Sequence, residues 1–484
     1  MDVNRTVLRP DPACPSSLAD WLTYLETLHP KTIALGLERV AQVKQRLGLN
    51  PSFPIIVVGG TNGKGSVCAM LEAILHAAGY RVGCYTSPHL LVYNERVRIS
   101  KQPVSDAALC ASFEKIEHVR GDVPLTYFEF GTLAAMQCFV EQAVEVAILE
   151  VGLGGRLDAV NVFDPDCAVV ASVDIDHAEY LGNTREKIAF EKAGIFRAGK
   201  VAVFGDMDMP ATIAAEAQRI GAQLWRLADN PLDLDVHQPY PHSHPSPPPE
   251  RGRELTPSPW KGEGWDGGGV NQHAPTGKLY SFTAGAQQWN YQGVNGSRSA
   301  LPYPALRGAF QLHNASAVLA ALDALKNTLP VSMAAVRRGL VEVSLPGRFQ
   351  VVPGKPVLIL DVAHNPHAAR ALAQNLVDMK SQAKTFAVFA MLNDKDMAGV
   401  ARELDAQVDV WLVAGIAAPR GATAAELAQV LHGVGVRGAV LTFATVTDAL
   451  HHACNESAEN DRIAAFGSFY TVAEVMRARG LRYD

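Results

Sequence analysis

A short apolar run at residues 55–58 opens into Gly59-Gly60-Thr61-Asn62-Gly63-Lys64-Gly65-Ser66 and then into a helical pattern from about 67 to 78. Glycines let backbone N–H groups turn inward onto phosphate oxygens. A lysine adds a point charge, and the first turn of a helix adds its partial positive charge. The strict Gly-x-x-x-x-Gly-Lys-Ser/Thr loop is not met, because the first glycine is misplaced and Gly65 follows Lys64. A glycine-rich turn alone is as readily structural. Strand, lysine, serine and helix in that order point to phosphate.

Other chemistry-bearing residues also follow apolar runs. Ser87-Pro88 comes after a run at 82–85, where a hydroxyl can complete a magnesium shell or simply make a turn. Glu150 ends a run at 146–151 and precedes Gly152-Leu153-Gly154-Gly155. An unpaired carboxylate is costly to bury there, so it is a cap, a salt-bridge partner or a metal ligand. Asp174-Ile175-Asp176-His177 follows a run at 168–173, and its position in the same array favours a ligand over a core histidine. Lys192 lies in a helical stretch whose bland reading is a solvated charged face. Asp361-Val362-Ala363-His364-Asn365-Pro366 follows a run at 357–360. Asp361 and His364 could meet a nucleotide or substrate, and Asn365 before Pro366 suits a helix cap. Arg348 could reach a phosphate across a cleft or be surface charge.

The elements that must position these groups read as α/β. Near-continuous β-rich runs at 55–58, 82–85, 146–151, 168–173 and 201–204 suit strands buried on both faces. Ligands bind outside the carboxyl ends of such strands, so the polar clusters should share one edge. A second series at 357–360, 386–390, 410–413 and 463–466 predicts a smaller α/β domain, with helices near 366–379 and 423–431 between its strands. Leu345-Pro346-Gly347-Arg348 has turn chemistry and serves as a hinge. The expected division is therefore 1–344, hinge 345–348, and 349–484. Residues 241–269 hold seven prolines, six glycines and one aliphatic residue, Leu255, so a disordered insertion is expected over about 241–275. It reads as a tolerated loop insertion or a partner-binding tail.

Composition bounds the function. The chain has 484 residues, 48% hydrophobic and 19% charged, with 43 basic and 49 acidic residues and a net charge of −6. That argues against a general nucleic-acid binder. Seven widely spaced cysteines without Cys-x-x-Cys suggest neither a disulfide framework nor a zinc knuckle. Residues 1–17 lack an apolar signal-peptide region, and no apolar run reaches the roughly 18 residues of a membrane span. A cytoplasmic protein is expected, with no nucleic-acid or membrane partner.

Taken together these stretches resemble the Mur ligase superfamily, and within it the bacterial bifunctional dihydrofolate synthase/folylpolyglutamate synthases. The similarity also rests on Lys31-Thr32-Ile33, Glu95-Arg96-Val97-Arg98, Thr126-Tyr127-Phe128-Glu129, Glu191-Lys192-Ala193-Gly194-Ile195 and Leu345-Pro346-Gly347-Arg348-Phe349. The resemblance implies an N-terminal Mur-ligase-type P-loop ATPase domain and a C-terminal Rossmann-like α/β domain. It implies a magnesium-dependent monomer acting on dihydropteroate, reduced folates, L-glutamate and ATP. The carboxylate would be phosphorylated by ATP, and glutamate would then displace phosphate to form an amide.

Carried over by position, Thr61, Asn62, Gly63, Lys64, Gly65 and Ser66 would hold the phosphates of ATP, with Asn314, Arg348 and Asp361 on the same nucleotide. Ser87, Glu150 and His177 would ligate magnesium. Lys192 matches a lysine that the family carbamylates. Thr27, Leu28, His29, Pro30, Lys31, Thr32 and Ile33 would line the pterin site with Thr126, Tyr127, Phe128, Glu129, Leu157, Asp158 and Ala159. His364 and Ser468 would stand near glutamate or the acyl phosphate. The named catalytic set is Lys64, Lys192, His177, Arg348 and His364. Ala34, where the pattern has an acidic residue, is the departure that touches pterin binding. A folylpolyglutamate synthase without the first activity, another Mur-class ligase and a nucleotide-binding regulatory module are the alternatives.

Overall fold

The computed structural model describes residues 15–31, 33–228, 277–379 and 383–482. Thr32 and the Pro/Gly-rich stretch at 241–275 lie outside the described residues.

The chain builds two sheets. The first contains β1 (Ile55–Gly59), β2 (Val82–Tyr85), β3 (Val97–Ile99), β4 (Gln102–Pro103), β5 (Val146–Glu150), β6 (Cys167–Val170), β7 (Val201–Phe204), β8 (Gln223–Leu227), β9 (Lys278–Ala284), β10 (Gln288–Gly293) and β11 (Gly296–Pro302). Their order is β11-β10-β9-β8-β7-β6-β1-β5-β2-β3-β4, parallel from β9 through β2 and antiparallel at both ends. The second contains β12 (Gln350–Val352), β13 (Val357–Asp361), β14 (Thr385–Phe389), β15 (Val410–Ala414), β16 (Ala439–Phe443) and β17 (Arg462–Phe466). Its order is β12-β13-β17-β14-β15-β16, with β12 alone antiparallel.

Period-two alternation sends each central strand into two cores. From β1, Ile55 and Val57 join a layer with Phe130, Leu133 and Ile188. Ile56 and Val58 join another with Met70, Leu71 and Val318. In the second sheet Ile359, Ala387 and Trp411 pack one way, and Leu358, Val388 and Leu412 the other. Burial on both faces is why these strands read as continuous apolar runs.

The main expected strands form, with edges shifted by a few residues. The run expected to end at Val173 leaves the sheet at Val170, so His177 rides a seven-residue loop rather than a strand end. The helix after the glycine-rich loop starts at Lys64 rather than 67, with Gly63 at φ 85° as its N-cap. The strands from β8 to β11, β4, β12 and β16 carry exposed or mixed positions, and the short buried β3 is interrupted by Arg98, so none reads as a continuous apolar run.

Candidate active site

A cavity of about 510 Å³ is lined from both sheets. The registers Val58↔Glu150 and Gly59↔Val170 send the loops after β1, β5 and β6 off one edge. The loops after β13, β14 and β17 reach it from the second sheet.

The loop of residues 59–66 is held from behind by the segment after β6. Asn62 N donates to Ser172 Oγ at 3.1 Å, and Thr61 Oγ1 donates to Asp174 O at 3.0 Å. A Cβ at Gly63 would lie 2.5 Å from Asn314 Oδ1, so glycine lets Asn314 against the loop. Lys64 Nζ donates to Gly60 O and Thr61 O at 3.0 and 3.2 Å, which folds the ammonium over the loop. Gly65 and Ser66 open the helix Lys64–Ala77, and both line the cavity. Arg348 comes in from the opposite side: a Cβ at Gly65 would sit 3.8 Å from its Nη2, and its guanidinium lies 5.1 Å over the Phe469 ring.

Ser87 and Glu150 meet, Ser87 N donating to Glu150 Oε2 at 3.0 Å. Glu150 is buried, which raises its carboxyl pKa against the pull of Lys64 and the Ser87 amide. His177 has φ 50°, and burial lowers its ring to about 4, so it is neutral at pH 7. Lys192 is 4% exposed, and burial, reinforced by Lys64, lowers its amine to about 7.

Asp176 anchors the contact between the two sheets' loops. Lys395, from the loop after β14, places Nζ 2.7 Å from Asp176 Oδ1 and 3.2 Å from His177 Nε2. His364 Nε2 is 3.7 Å from Asp176 Oδ2. Asn62 and Asn365 exchange amide hydrogen bonds, each Nδ2 donating to the other's Oδ1 at 3.2 Å. Asp361 accepts from Phe349 N and Ala363 N at 2.8 and 2.7 Å, which fixes it beside Arg348. Ser468 lines the cavity, and its hydroxyl caps the helix Phe469–Ala478 by accepting from Thr471 N at 3.0 Å.

The remaining expected stretches converge beside this cavity rather than lining it. Gly36 N donates to Leu157 O at 3.2 Å, and Arg39 bridges Glu129 Oε1 at 3.0 Å to Ala34 O at 2.7 Å. Thr126 and Glu129 form a reciprocal cap on the helix Tyr127–Glu141. Asp158 accepts from Leu153 N and Val160 N, and burial pushes it up to about 7. Ala159 is buried behind it. Phe128 packs under Gly152, where a Cβ would come within 2.7 Å of the ring. Thr27 ends the first helix, its hydroxyl donating to Tyr24 O, and Leu28 follows as its C-cap. His29, Pro30, Lys31 and Ile33 line a second, more open depression with Tyr180.

Comparison with known proteins fits this geometry. The Mur ligase middle domain matches residues 58–238, and the Mur ligase glutamate ligase domain matches residues 347–469. The dihydrofolate synthase/folylpolyglutamate synthase of Escherichia coli is 42% identical over 97% of each chain. The chain belongs to this family of Mur ligases. The solved E. coli FolC in complex with DHPP and ADP superposes with a TM-score of 0.82 at 41% identity, covering 97% of this chain and 99% of that one. The Yersinia pestis bifunctional synthase complexed with AMPPNP and Mn ion gives 0.80 at 45% identity, covering 97% and 100%.

For a divalent metal the donors fit in kind: a hydroxyl, a buried carboxylate and a neutral imidazole. Among the described residues no group of three or more His, Cys, Asp and Glu is arranged to hold one. A set that includes a serine hydroxyl falls outside such a grouping. Lys395 was missed in the sequence. Its only signal is its place in the loop after a strand of the second series, as His177 stands in the loop after β6, and no local motif singles it out.

Proposed function

We propose that this chain is a ligase that uses ATP to join L-glutamate to a carboxylate, that of dihydropteroate and then those of reduced folates. A carboxylate is a poor electrophile. Its oxygen attacks the γ-phosphorus, ADP leaves, and the glutamate amine then displaces phosphate from the acyl carbon. Backbone amides of residues 61–66 and Lys64 hold the phosphates. Arg348 offsets charge on the transferring phosphoryl from the far side. Asn314 and Asp361 position the nucleotide, and His364 and Ser468 stand on the glutamate side. Ser87, Glu150 and His177 would hold Mg²⁺, which when bound neutralises phosphate oxygens. Residues 27–33, 126–129 and 157–159 take the pterin.

The observation that carries this reading is the meeting of Lys64, Glu150, His177 and Lys192 with Arg348, Asp361 and His364 around one cavity. Lys192, neutral in part near pH 7, suits carbamylation, since only the free amine attacks CO₂. Residues 345–348 act as a hinge between units 1–344 and 349–484. The protein works as a cytoplasmic monomer, in keeping with six described cysteines that are all free.

The test is ADP release with ATP, Mg²⁺ and L-glutamate, adding dihydropteroate or a reduced folate in separate reactions. Turnover with both is expected. Turnover with the folate alone would select the single-activity synthase and direct attention to Ala34. Folded protein silent with both would refute the reading.

A further inference from the structure

We infer that Arg96 is the group that binds the acceptor's carboxylate, the one that becomes phosphorylated. The inference rests on the ligase reading above and names a residue that reading leaves unassigned.

Arg96 is placed between the two halves of the proposed site. Its carbonyl accepts from Thr86 N at 2.9 Å, which sets it beside Ser87 at the carboxyl end of β2. Its side chain is half-buried and lines the cavity with Ser87, Pro88 and Gly152. Behind it are two rings: the guanidinium carbon lies 5.3 Å from the Tyr93 centroid and 5.5 Å from that of Tyr127. Tyr127 belongs to the expected pterin stretch. The guanidinium therefore stands where a pterin-side ligand would present its far end to the phosphates.

The guanidinium is also free to take an anion. Nε donates to His89 Nδ1 at 2.9 Å, which fixes the plane of the fork. Among the described residues its two terminal nitrogens have no hydrogen-bond partner, and the side chain makes no ion pair. Among the other cations that line the cavity, Arg307 is exposed just before the helix that carries Asn314, and Lys192 is buried. Lys395 pairs with Asp176 and Arg420 with Asp394. Lys64 and Arg348 flank the nucleotide loop. A planar fork with both outer N–H groups open matches a carboxylate in a two-point contact, and stacking on rings keeps it rigid. It would turn one oxygen of the acceptor toward the phosphorus and hold the other.

The experiment compares wild type, Arg96→Gln and Arg96→Lys with saturating ATP, Mg²⁺ and L-glutamate, varying dihydropteroate. Binding of dihydropteroate and of its decarboxylated analogue is measured in parallel. Losing a charged hydrogen-bond pair should raise the KM for dihydropteroate about ten- to a hundredfold in Arg96→Gln. Arg96→Lys should recover part of it, and the KM values for ATP and glutamate should stay within about twofold. Wild type should discriminate against the decarboxylated analogue, and Arg96→Gln should bind the two alike. Active wild type with an unchanged dihydropteroate KM in Arg96→Gln overturns the assignment. So does a loss that falls on ATP instead, or discrimination that survives the substitution. Wild type inactive with both dihydropteroate and folate takes down the ligase reading, and this inference with it.

Discussion

Replacing Lys395 by Met should open the cleft between the two sheets in the ligand-free protein. The Lys395–Asp176 pair is the strongest contact across it, at 2.7 Å with side chains 8% and 11% exposed. Burial alone would raise the Asp176 carboxyl pKa. His364, Lys395 and His177 instead hold it well below the carboxylate range. Removing one partner of a buried pair costs about 3–5 kcal/mol, because the other charge stays dry and unmatched. The Asn62–Asn365 exchange and the 2.8 Å contact of Asn62 Nδ2 with His367 Nδ1 are the neutral links that remain, and such hydrogen bonds contribute only about 0.5–1.5 kcal/mol each. Opening rehydrates Asp176, so the strain is relieved by separation rather than by unfolding. The open-to-closed ratio should rise by roughly a hundredfold or more. Small-angle X-ray scattering should show a larger radius of gyration for Lys395→Met, with little change in the melting temperature. The double variant Asp176→Asn/Lys395→Met, which leaves no orphan charge, should move back toward the wild-type value. Scattering identical to wild type in the single variant would refute the argument that this pair holds the two units together.

Three further outcomes are expected. Lys192→Met should lose ligase activity by at least about a hundredfold, and a ¹³C carbamate resonance seen in wild type with labelled CO₂ should be absent. At fixed dissolved CO₂ the resonance should grow as pH rises through about 7, where burial places the amine. Asp158, raised to about 7 in the fold from an ordinary 3.8, binds more protons folded than unfolded between those values. Stability from this group therefore falls as pH rises from about 4 to 7, and Asp158→Asn should flatten that slope in urea melts. Arg98 donates to Glu72 Oε2 at 2.8 Å with both side chains buried, so Arg98→Met should cost about 3–5 kcal/mol by denaturant unfolding. Glu72→Leu/Arg98→Met should recover most of it, and equal losses in the two variants would show that packing rather than charge is responsible.

What the sequence revealed follows from how each element is buried. Strands such as β1 and β5, covered on both faces, produce apolar runs that need no partner to be recognised. In the β9–β11 ribbon only β10 alternates buried and exposed positions, β9 is mixed and β11 largely exposed, and the register breaks between Trp289 and Tyr291, so the pattern is too weak to read from one chain. Local motifs were legible where the chemistry is local: Gly63 and Lys64 lie in one turn, and Asn365 caps its own helix by accepting from Ala368 N at 2.9 Å. Contacts between distant loops were not. Nothing in residues 391–396 marks Lys395 as the partner of Asp176, more than two hundred positions away, until both sheets exist.

The same distinction separates positioning from chemistry within the expected site. Thr126, Glu129, Asp158 and Ser468 were singled out by type and place, and in the fold each spends polar atoms on a cap or a backbone turn. A buried carboxylate that accepts two backbone amides is already satisfied and makes a rigid wall. Ligand-binding capacity remains where polar atoms are left over, among them the outer nitrogens of Arg96 and the amine of Lys192. Arg96 shares the cavity with the loop of residues 59–66, and one of its two rings, Tyr127, belongs to the expected pterin stretch. With Arg96 as the acceptor's anion site, the cavity would run from the loop of residues 59–66 through that site to the rings of Tyr93 and Tyr127, which is the order in which an acyl phosphate has to be assembled.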